Sequence, residues 1–486
     1  MNRNVSLKKL TLQDEFEIQG YWWLPEEPSE KFSGTLYSGE DAIYLDILES
    51  FQDLQSAKNK EGYEIIHGVT VTGDEVTLFD SFRDNFTDNK PGLSYEKIFS
   101  NYLIVGDHFE NQEDLQFKGL ELYSNYLTKW FNKCPFSLNR NEETSETTTT
   151  YTPPDVTSYY IESIKAEIKN SYNFNFQPSP HASIFKYSEF IKLTPDVRKG
   201  FEWFQDKLSS FQKLVSLMIG ERFNYEKIVF LGEDENLGTE EKPLIRPKRY
   251  HLFISLKEGE MNEKLHSHKM LFTFPMIEDQ FEEICDNWFA RKENLRNVYS
   301  LHFSDVFNTS LNPENKFLNA VQSLEVYHRA MGYGKEIDDQ RKDEILTNVQ
   351  GKLKESITDD ELEVVLGKLR HMNECSLNKR LKDIMKESFD EETIQYLFNS
   401  NKKAKSFIRK VVQTRNYLTH YGEEGNEKRY EGVELHFAKE LLKVVASIVL
   451  FKECGIKEGK VLERMKNTFD LPQRVSYSKK RLRIDQ

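Results

Sequence analysis

Within six residues, Arg415-Asn416-Tyr417-Leu418-Thr419-His420 brings together a guanidinium, an amide and an imidazole. A guanidinium keeps its charge at any physiological pH. Placed against apolar neighbours it demands an anion, either a carboxylate or the phosphate of a ligand. An imidazole titrates near neutral pH and moves protons in either direction. A fixed cation beside a proton shuttle suits chemistry at a phosphate. Upstream, Lys402, Lys403, Lys405, Arg409 and Lys410 lead to Arg415 without one acidic residue between them. Most such runs are solvated helix faces. Beside the Arg/His pair, this one reads as a surface turned to phosphate.

The element that must carry these groups is an amphipathic helix over residues 404–418. Ala404, Phe407, Ile408, Val411, Val412 and Leu418 recur at three- and four-residue spacing, with Arg415 in the middle of the apolar stripe. His420 and Asn416 share a flank, and Gly422 offers a helix stop. A second helix starts at Asn312-Pro313, an N-cap residue followed by proline at the first helical position. Phe317, Val321, Leu324 and His328 then share a face, with Leu318 and Glu325 beside it. Glu325 is the carboxylate available to Arg415 when no ligand is bound. His328, on an apolar stripe, reads as a hydrogen-bonded core residue that supports the site. Further helices are expected at 338–356, 359–373, 377–388 and 433–454, giving a bundle of five or six.

These residues carry a resemblance. Arg415-Asn-x-x-x-His420 at the end of a late helix resembles the Arg-x4-6-His signature of HEPN domains. Phe317-Leu-Asn-Ala-Val-Gln-Ser-Leu-Glu-Val-Tyr-His328 is similar to the first helix of ApeA-like HEPN domains. At the other end, Gly20-Tyr-Trp-Trp-Leu-Pro25, Phe32-Ser-Gly-Thr-Leu36, Ile66-His-Gly68 and Val76-Thr-Leu-Phe79 resemble the N-terminal domain of ApeA-type anti-phage proteins. The resemblance implies a metal-independent endoribonuclease with no cofactor, in which two HEPN domains meet and each cleft draws on both chains. Arg415 would hold the scissile phosphate, His420 would act as general base or acid, and Asn416 would orient His420 or bind a phosphate oxygen. Glu325 and His328 would support the site, and Lys402, Lys403, Lys405, Arg409 and Lys410 would contact RNA. Products would carry a 2′,3′-cyclic phosphate, with tRNA as first candidate substrate. The cellular role implied is a toxic effector of abortive infection, held low until the N-terminal region senses a phage-derived trigger. A reading from another class keeps the same fold as a non-catalytic nucleotide- or RNA-binding dimerisation module with a β-rich sensor domain. A third is a β-domain ligand-binding protein with a helical oligomerisation tail.

The fold class expected is α+β: a large β-rich domain over residues 1–300, read equally as one body or two lobes, then an all-α HEPN bundle over 301–486. All five Trp lie before residue 289 and the aromatic share is 13%, which suits a β domain placed first. Strands are expected at 36–39, 42–47, 63–66 and 75–79, with Val71-Thr-Gly-Asp74 as a hairpin turn. Residues 121–131 are open to a helical reading. The Asn-, Thr- and Pro-rich stretch 138–157 reads as an exposed loop or lobe connection. Strands follow near 159–164, 183–187, 227–231 and 250–255, with a helix opened by Pro195. Of the paired tryptophans, one is expected in the core and one in a lobe contact. The basic end Lys479-Lys-Arg-Leu-Arg483 reads as a solubilising tail.

A net charge of −14 argues against general nucleic-acid affinity and leaves room only for a local basic site. Cys134, Cys285, Cys375 and Cys454 form no CxxC pair, as befits reduced thiols. His266-Ser-His268 puts two imidazoles on one strand face without a partner at ligand spacing, so no metal is expected. There is no P-loop and no G-x-S-x-G elbow. The first residues lack the apolar core of a signal peptide, and no apolar run is long enough to cross a bilayer. The expectation is a cytoplasmic protein that does not enter membranes.

Overall fold

The computed structural model describes residues 5–39, 42–51, 62–87, 92–255, 265–333, 335, 337–370, 372–420 and 429–485. Gly422, expected as the stop of the site helix, lies outside them. The chain divides into two compact units, Met1–Phe289 and Ala290–Gln486.

In the first unit, six strands come first: β1 (Phe16–Trp23), β2 (Phe32–Ser38), β3 (Ile43–Leu48), β4 (Tyr63–Thr70), β5 (Glu75–Thr87) and β6 (Tyr95–Val105). They pair in the order β6-β3-β2-β1-β4-β5, and β5 pairs back onto β6, so the ring closes into a barrel. Closure removes free strand edges. Alternation does the rest. Phe16, Ile18 and Trp22 of β1, Leu36 of β2, and Ile43, Leu45 and Ile47 of β3 point inward to a core shared with Leu78, Ile98 and Leu103. Trp22 is the largest fully buried side chain there. A β-carbon at Gly68 would come within 2.3 Å of two carbons of its ring, and one at Gly34 would meet both Asp46's carbonyl and the indole. The glycines of the N-terminal motifs therefore clear the space that this tryptophan fills. Trp23 is also buried, at 6% exposure, edge-on to the rings of His67 and His108. Both tryptophans thus belong to this unit's interior.

Ten later strands follow: β7 (Gln116–Phe117), β8 (Gly119–Tyr123), β9 (Phe136–Arg140), β10 (Thr147–Tyr151), β11 (Ser158–Ile161), β12 (Ala166–Pro178), β13 (Ser183–Pro195), β14 (Lys199–Gly200), β15 (Lys227–Asn236) and β16 (Ile245–Ile254), with β9–β10 and β7–β14 forming two small sheets of their own. Of these, β16, β15, β8, β13, β12 and β11 extend the barrel's sheet from β6 in that order. Helices α1 (Asn125–Phe131), α2 (Phe201–Ile219) and α3 (Phe281–Ala290) complete this part of the chain.

Several expectations need correcting. Residues 121–131 are the end of β8 and then α1, because Ser124 caps the helix by accepting from Tyr126 N–H. The 138–157 stretch is not a plain loop. Five residue pairs join β9 to β10 as a hairpin, and strands before and after it lie in one sheet. Pro195 ends β13, and the helix begins only at Phe201. His266 precedes a short 3-10 turn (Ser267–Lys269) and His268 lies within it, their rings stacked 5.5 Å apart, so they do not share a strand face.

The second unit is helical: α4 (Lys292–Phe307), α5 (Pro313–Ala330), α6 (Asp339–Leu353), α7 (Asp359–Leu369), α8 (Leu377–Ser388), α9 (Glu391–Phe398), α10 (Asn401–His420), α11 (Val433–Glu453), α12 (Glu458–Asn467) and α13 (Leu471–Arg481). Ten helices among the described residues replace the expected five or six, and α3 and α4 begin before residue 300. The basic end is no loose tail. Val475, Leu482 and Ile484 are buried, and Lys479 Nζ donates to the Tyr396 carbonyl at 2.9 Å. Helix α5 packs on α4, α8, α10 and α11. Asn312 caps it as expected, accepting from Asn315 N–H at 2.7 Å. Among the described residues no helix is long and apolar enough to cross a membrane.

Candidate active site

Helix α10 is held by Ala404, Phe407, Ile408, Val411, Thr414 and Leu418, all buried. Thr414 takes the core position that Val412 was expected to fill. Its hydroxyl donates to the Lys410 carbonyl at 2.7 Å and accepts from Tyr430 N–H at 2.9 Å. That second bond pins the chain where it returns toward α11. A threonine satisfied in this way can sit in a core.

Arg415 therefore lies at the edge of the buried stripe, with a third of its side chain exposed. Its Nη2 stands 3.7 Å from Glu325 Oε2 on α5, and its Nη1 donates to Asn416 Oδ1 at 3.3 Å. Glu325 also receives Arg329 Nη2 at 3.0 Å, so one carboxylate serves two guanidiniums. Arg329 is a cation that reading the sequence passed over. Its only signal there is the four-residue spacing from Glu325 that places the two side by side on a helix.

Asn416 and His420 are exposed. At about 100° per residue, Arg415 and His420 are separated by about 140° around the helix axis. Asn416 lies between them. The basic run splits by the same geometry. Lys402, Arg409, Asn416 and His420 fall within about 40° of one another, with Lys405 close by. Lys403 and Lys410 occupy the other flank. Lys410 Nζ lies 5.1 Å from the centre of the Tyr430 ring, and the Arg429 guanidinium stacks 3.5 Å above Tyr417. Nothing in the spacing of the sequence marks Arg429.

His328 is buried, at 1% exposure. Arg380 Nη1 approaches its Nδ1 at 3.4 Å, so the proton sits on Nε2, which faces Asp383 Oδ2 at 3.3 Å. Burial holds the imidazole below its ordinary pKa against the opposing pull of Asp383. His328 is thus a neutral, hydrogen-bonded core residue. With Cys375 and Asp383 it forms a group whose ligand atoms lie within 4.8 Å of one another, a spacing suited to a metal ion. Lys379 reaches both Asp383 oxygens, at 2.7 and 2.8 Å, and Arg380 is buried against the imidazole. Two permanent cations already balance the single carboxylate, which leaves a dication poorly served.

With this geometry established, comparison with known families decides the affiliation. Residues 17–288, more than half of the chain, match ApeA N-terminal domain 1, and residues 318–460 match Apea-like HEPN. The chain belongs to the ApeA family. Its HEPN domain runs from within α5 into α12 and so contains α10 and every residue of the candidate site. HEPN domains are associated with ribonuclease and nucleotide-binding roles, and ApeA with anti-phage defence. No curated protein and no solved structure matches the chain.

Proposed function

We propose that this ApeA protein is a metal-independent endoribonuclease, and that its HEPN domain cuts RNA by attack of the 2′-hydroxyl on the adjacent phosphate. The observation that carries this reading is the outer end of α10. There His420 and Asn416 stand exposed in line with Lys402 and Arg409, and Arg415 sits one-third exposed at the flank. RNA brings its own nucleophile, so the protein needs only to move protons and to offset charge on the phosphorane. His420 removes the 2′-proton or protonates the leaving 5′-oxygen, a contribution of about 10²–10⁴ in rate. Arg415 holds the phosphate by charge-assisted hydrogen bonds. Asn416, already bonded to Arg415, orients the pair. DNA, lacking the 2′-hydroxyl, escapes this route.

The angular separation of Arg415 and His420 on one helix supports a site completed by a second copy of the chain. A phosphate seated on one subunit's Arg415 flank then receives its proton shuttle from the other. In the cell such an enzyme acts as a toxic effector of abortive infection in the cytoplasm, with tRNA as substrate and the N-terminal barrel unit as sensor of a phage-derived trigger. The test is incubation of purified protein with total RNA in EDTA, beside Arg415→Ala and His420→Ala variants with unchanged melting. Cutting by wild type alone, with cyclic-phosphate ends, supports the assignment. Equal cutting by all three overturns it.

A second reading has one observation in its favour. Arg415 is already matched by Glu325, and Asn416's oxygen faces Arg415, not His420. A non-catalytic module that binds nucleotide or RNA and dimerises would use the same cation without the imidazole. Tight RNA binding with no cleavage by wild type, during infection as well as in vitro, would put that reading first.

A further inference from the structure

Helices α6 and α7 stand out from the HEPN bundle as a hairpin that packs chiefly on itself. None of the residues of α6 is buried, and of α7 only Leu362 is. Helices of 15 and 11 residues are marginal in water by themselves. Half-buried Ile345, Leu346 and Val349 on α6, and Val365, Leu366 and Leu369 on α7, give the hairpin an apolar seam. Its base is tied by Asn373 Nδ2, which donates to Asp339 Oδ1 at 2.7 Å. Thr358 and Glu361 close a capping box that fixes the start of α7.

The outer side of the hairpin is patterned. At about 100° per residue, Asp360, Val364, Gly367 and Lys368 fall on the side of α7 opposite Leu362. Val364, in the middle of this stripe, is 59% exposed. A β-carbon at Gly367 would meet open space. Asp360 and Lys368 stand four residues before and four after Val364, and neither has a charge partner among the described residues. Glu361, the other acid near the stripe, is taken up by Thr358 in the cap. An exposed valine midway between an acid and a base is its own complement. With a second α7 laid antiparallel across the first, Val364 meets the partner's Val364. Asp360 then faces the partner's Lys368, and Lys368 faces the partner's Asp360. Rows of residues four apart run parallel when two helices cross at about −50°, so both ion pairs form together.

We propose that α7 is a two-fold contact between two copies of this chain, with Val364 packed on the partner's Val364 and flanked on both sides by ion pairs between Asp360 and Lys368. A stripe of four side chains buries far less than the roughly 1,200–2,000 Å² of a stable interface. It therefore acts as a clamp that aligns two chains held elsewhere as well. The contact supplies a surface for the two-chain site proposed above and rests on that reading for its purpose alone. Chain association, not RNA cutting, reports on it, so either can fail without the other.

Sedimentation velocity on the full chain over a dilution series gives the dimer dissociation constant. Asp360→Lys and Lys368→Asp should each raise it about fivefold or more, because each sets two like-charge pairs across the two-fold. The double variant Asp360→Lys/Lys368→Asp restores both pairs and should return to within about twofold of wild type. A folding defect would not be undone in this way. Cys134 is exposed, so cross-linking is read in a Cys134→Ser background. There a short bis-maleimide should join Val364→Cys chains into a covalent dimer and should leave Gln350→Cys, exposed on α6, unjoined. The proposal is overturned if wild type is a monomer throughout, or if either single reversal associates as wild type does. It is equally overturned if the double variant is no tighter than the singles, or if Val364→Cys cross-links no better than Gln350→Cys.

Discussion

Glu325 on α5 and Arg415 on α10 face each other across 3.7 Å, and the same carboxylate holds Arg329 at 3.0 Å. The pair is partly exposed, so its direct worth to stability is small, about 1 kcal/mol or less. Its effect on the site is larger, because a phosphate seeking Arg415 must displace Glu325. Glu325→Gln should leave the melting temperature nearly unchanged and tighten RNA binding severalfold, read by fluorescence anisotropy. Weaker binding would mean that Glu325 positions Arg415 and does not mask it.

The split of the basic run predicts unequal contributions. Lys402 and Arg409 lie in line with His420, whereas Lys403 and Lys410 sit on the opposite flank and are half-buried. Replacing Lys402 or Arg409 with alanine should reduce the slope of log binding constant against log salt by about one per residue. Lys403→Ala and Lys410→Ala should change it little. An equal loss at all four positions would show that RNA wraps the whole helix end.

Much of this was legible before the fold. The Asn312-Pro313 start and the α5 core face follow from local chemistry and a 3.6-residue period, and each lies where the sequence puts it, whereas Arg415 sits at the edge of its stripe and not in the middle. The N-terminal motifs were legible as motifs, but their cause was not. Gly34 and Gly68 make room for Trp22 only once three strands are in register. The count of helices fell short by α4, α9, α12 and α13: α4 starts before the expected boundary, and the other three are only 8 to 11 residues long, so their stability comes from packing that no local pattern records. At the site, the periodic apolar pattern favoured Val412 over Thr414. A polar residue is admitted to a core only when its partners are known, and the partner here is Tyr430, sixteen residues away.

Thr414 gives a direct test of that anchor. Thr414→Val keeps the volume but leaves the buried Tyr430 N–H without its acceptor, at a cost of about 1–3 kcal/mol. Urea unfolding of the variant should show a lower midpoint, and the chain returning from α10 should exchange its amide hydrogens faster. Thr414→Ser, which keeps the hydroxyl, should recover most of the loss. A valine variant as stable as wild type would mean that another group takes over the N–H.

In the barrel unit, Glu189 supplies the pH dependence. Its side chain is buried at 2% exposure, with Oε2 lacking a hydrogen-bond partner among the described residues. Burial raises its pKa from 4.5 to about 7, against smaller downward pulls from Tyr187 and Lys133. The folded protein therefore holds this proton more tightly than the unfolded chain does. Its contribution to stability is full below about pH 4.5 and is lost as pH rises toward 7. Above that, folding must bury a charge. Glu189→Gln, neutral at every pH, should therefore stabilise the protein by several degrees at pH 8 and by much less at pH 5, by differential scanning fluorimetry. The wild type alone should lose stability between those pH values through this group. Identical pH profiles for the two proteins would show that the carboxyl reaches solvent or a cation when ionised.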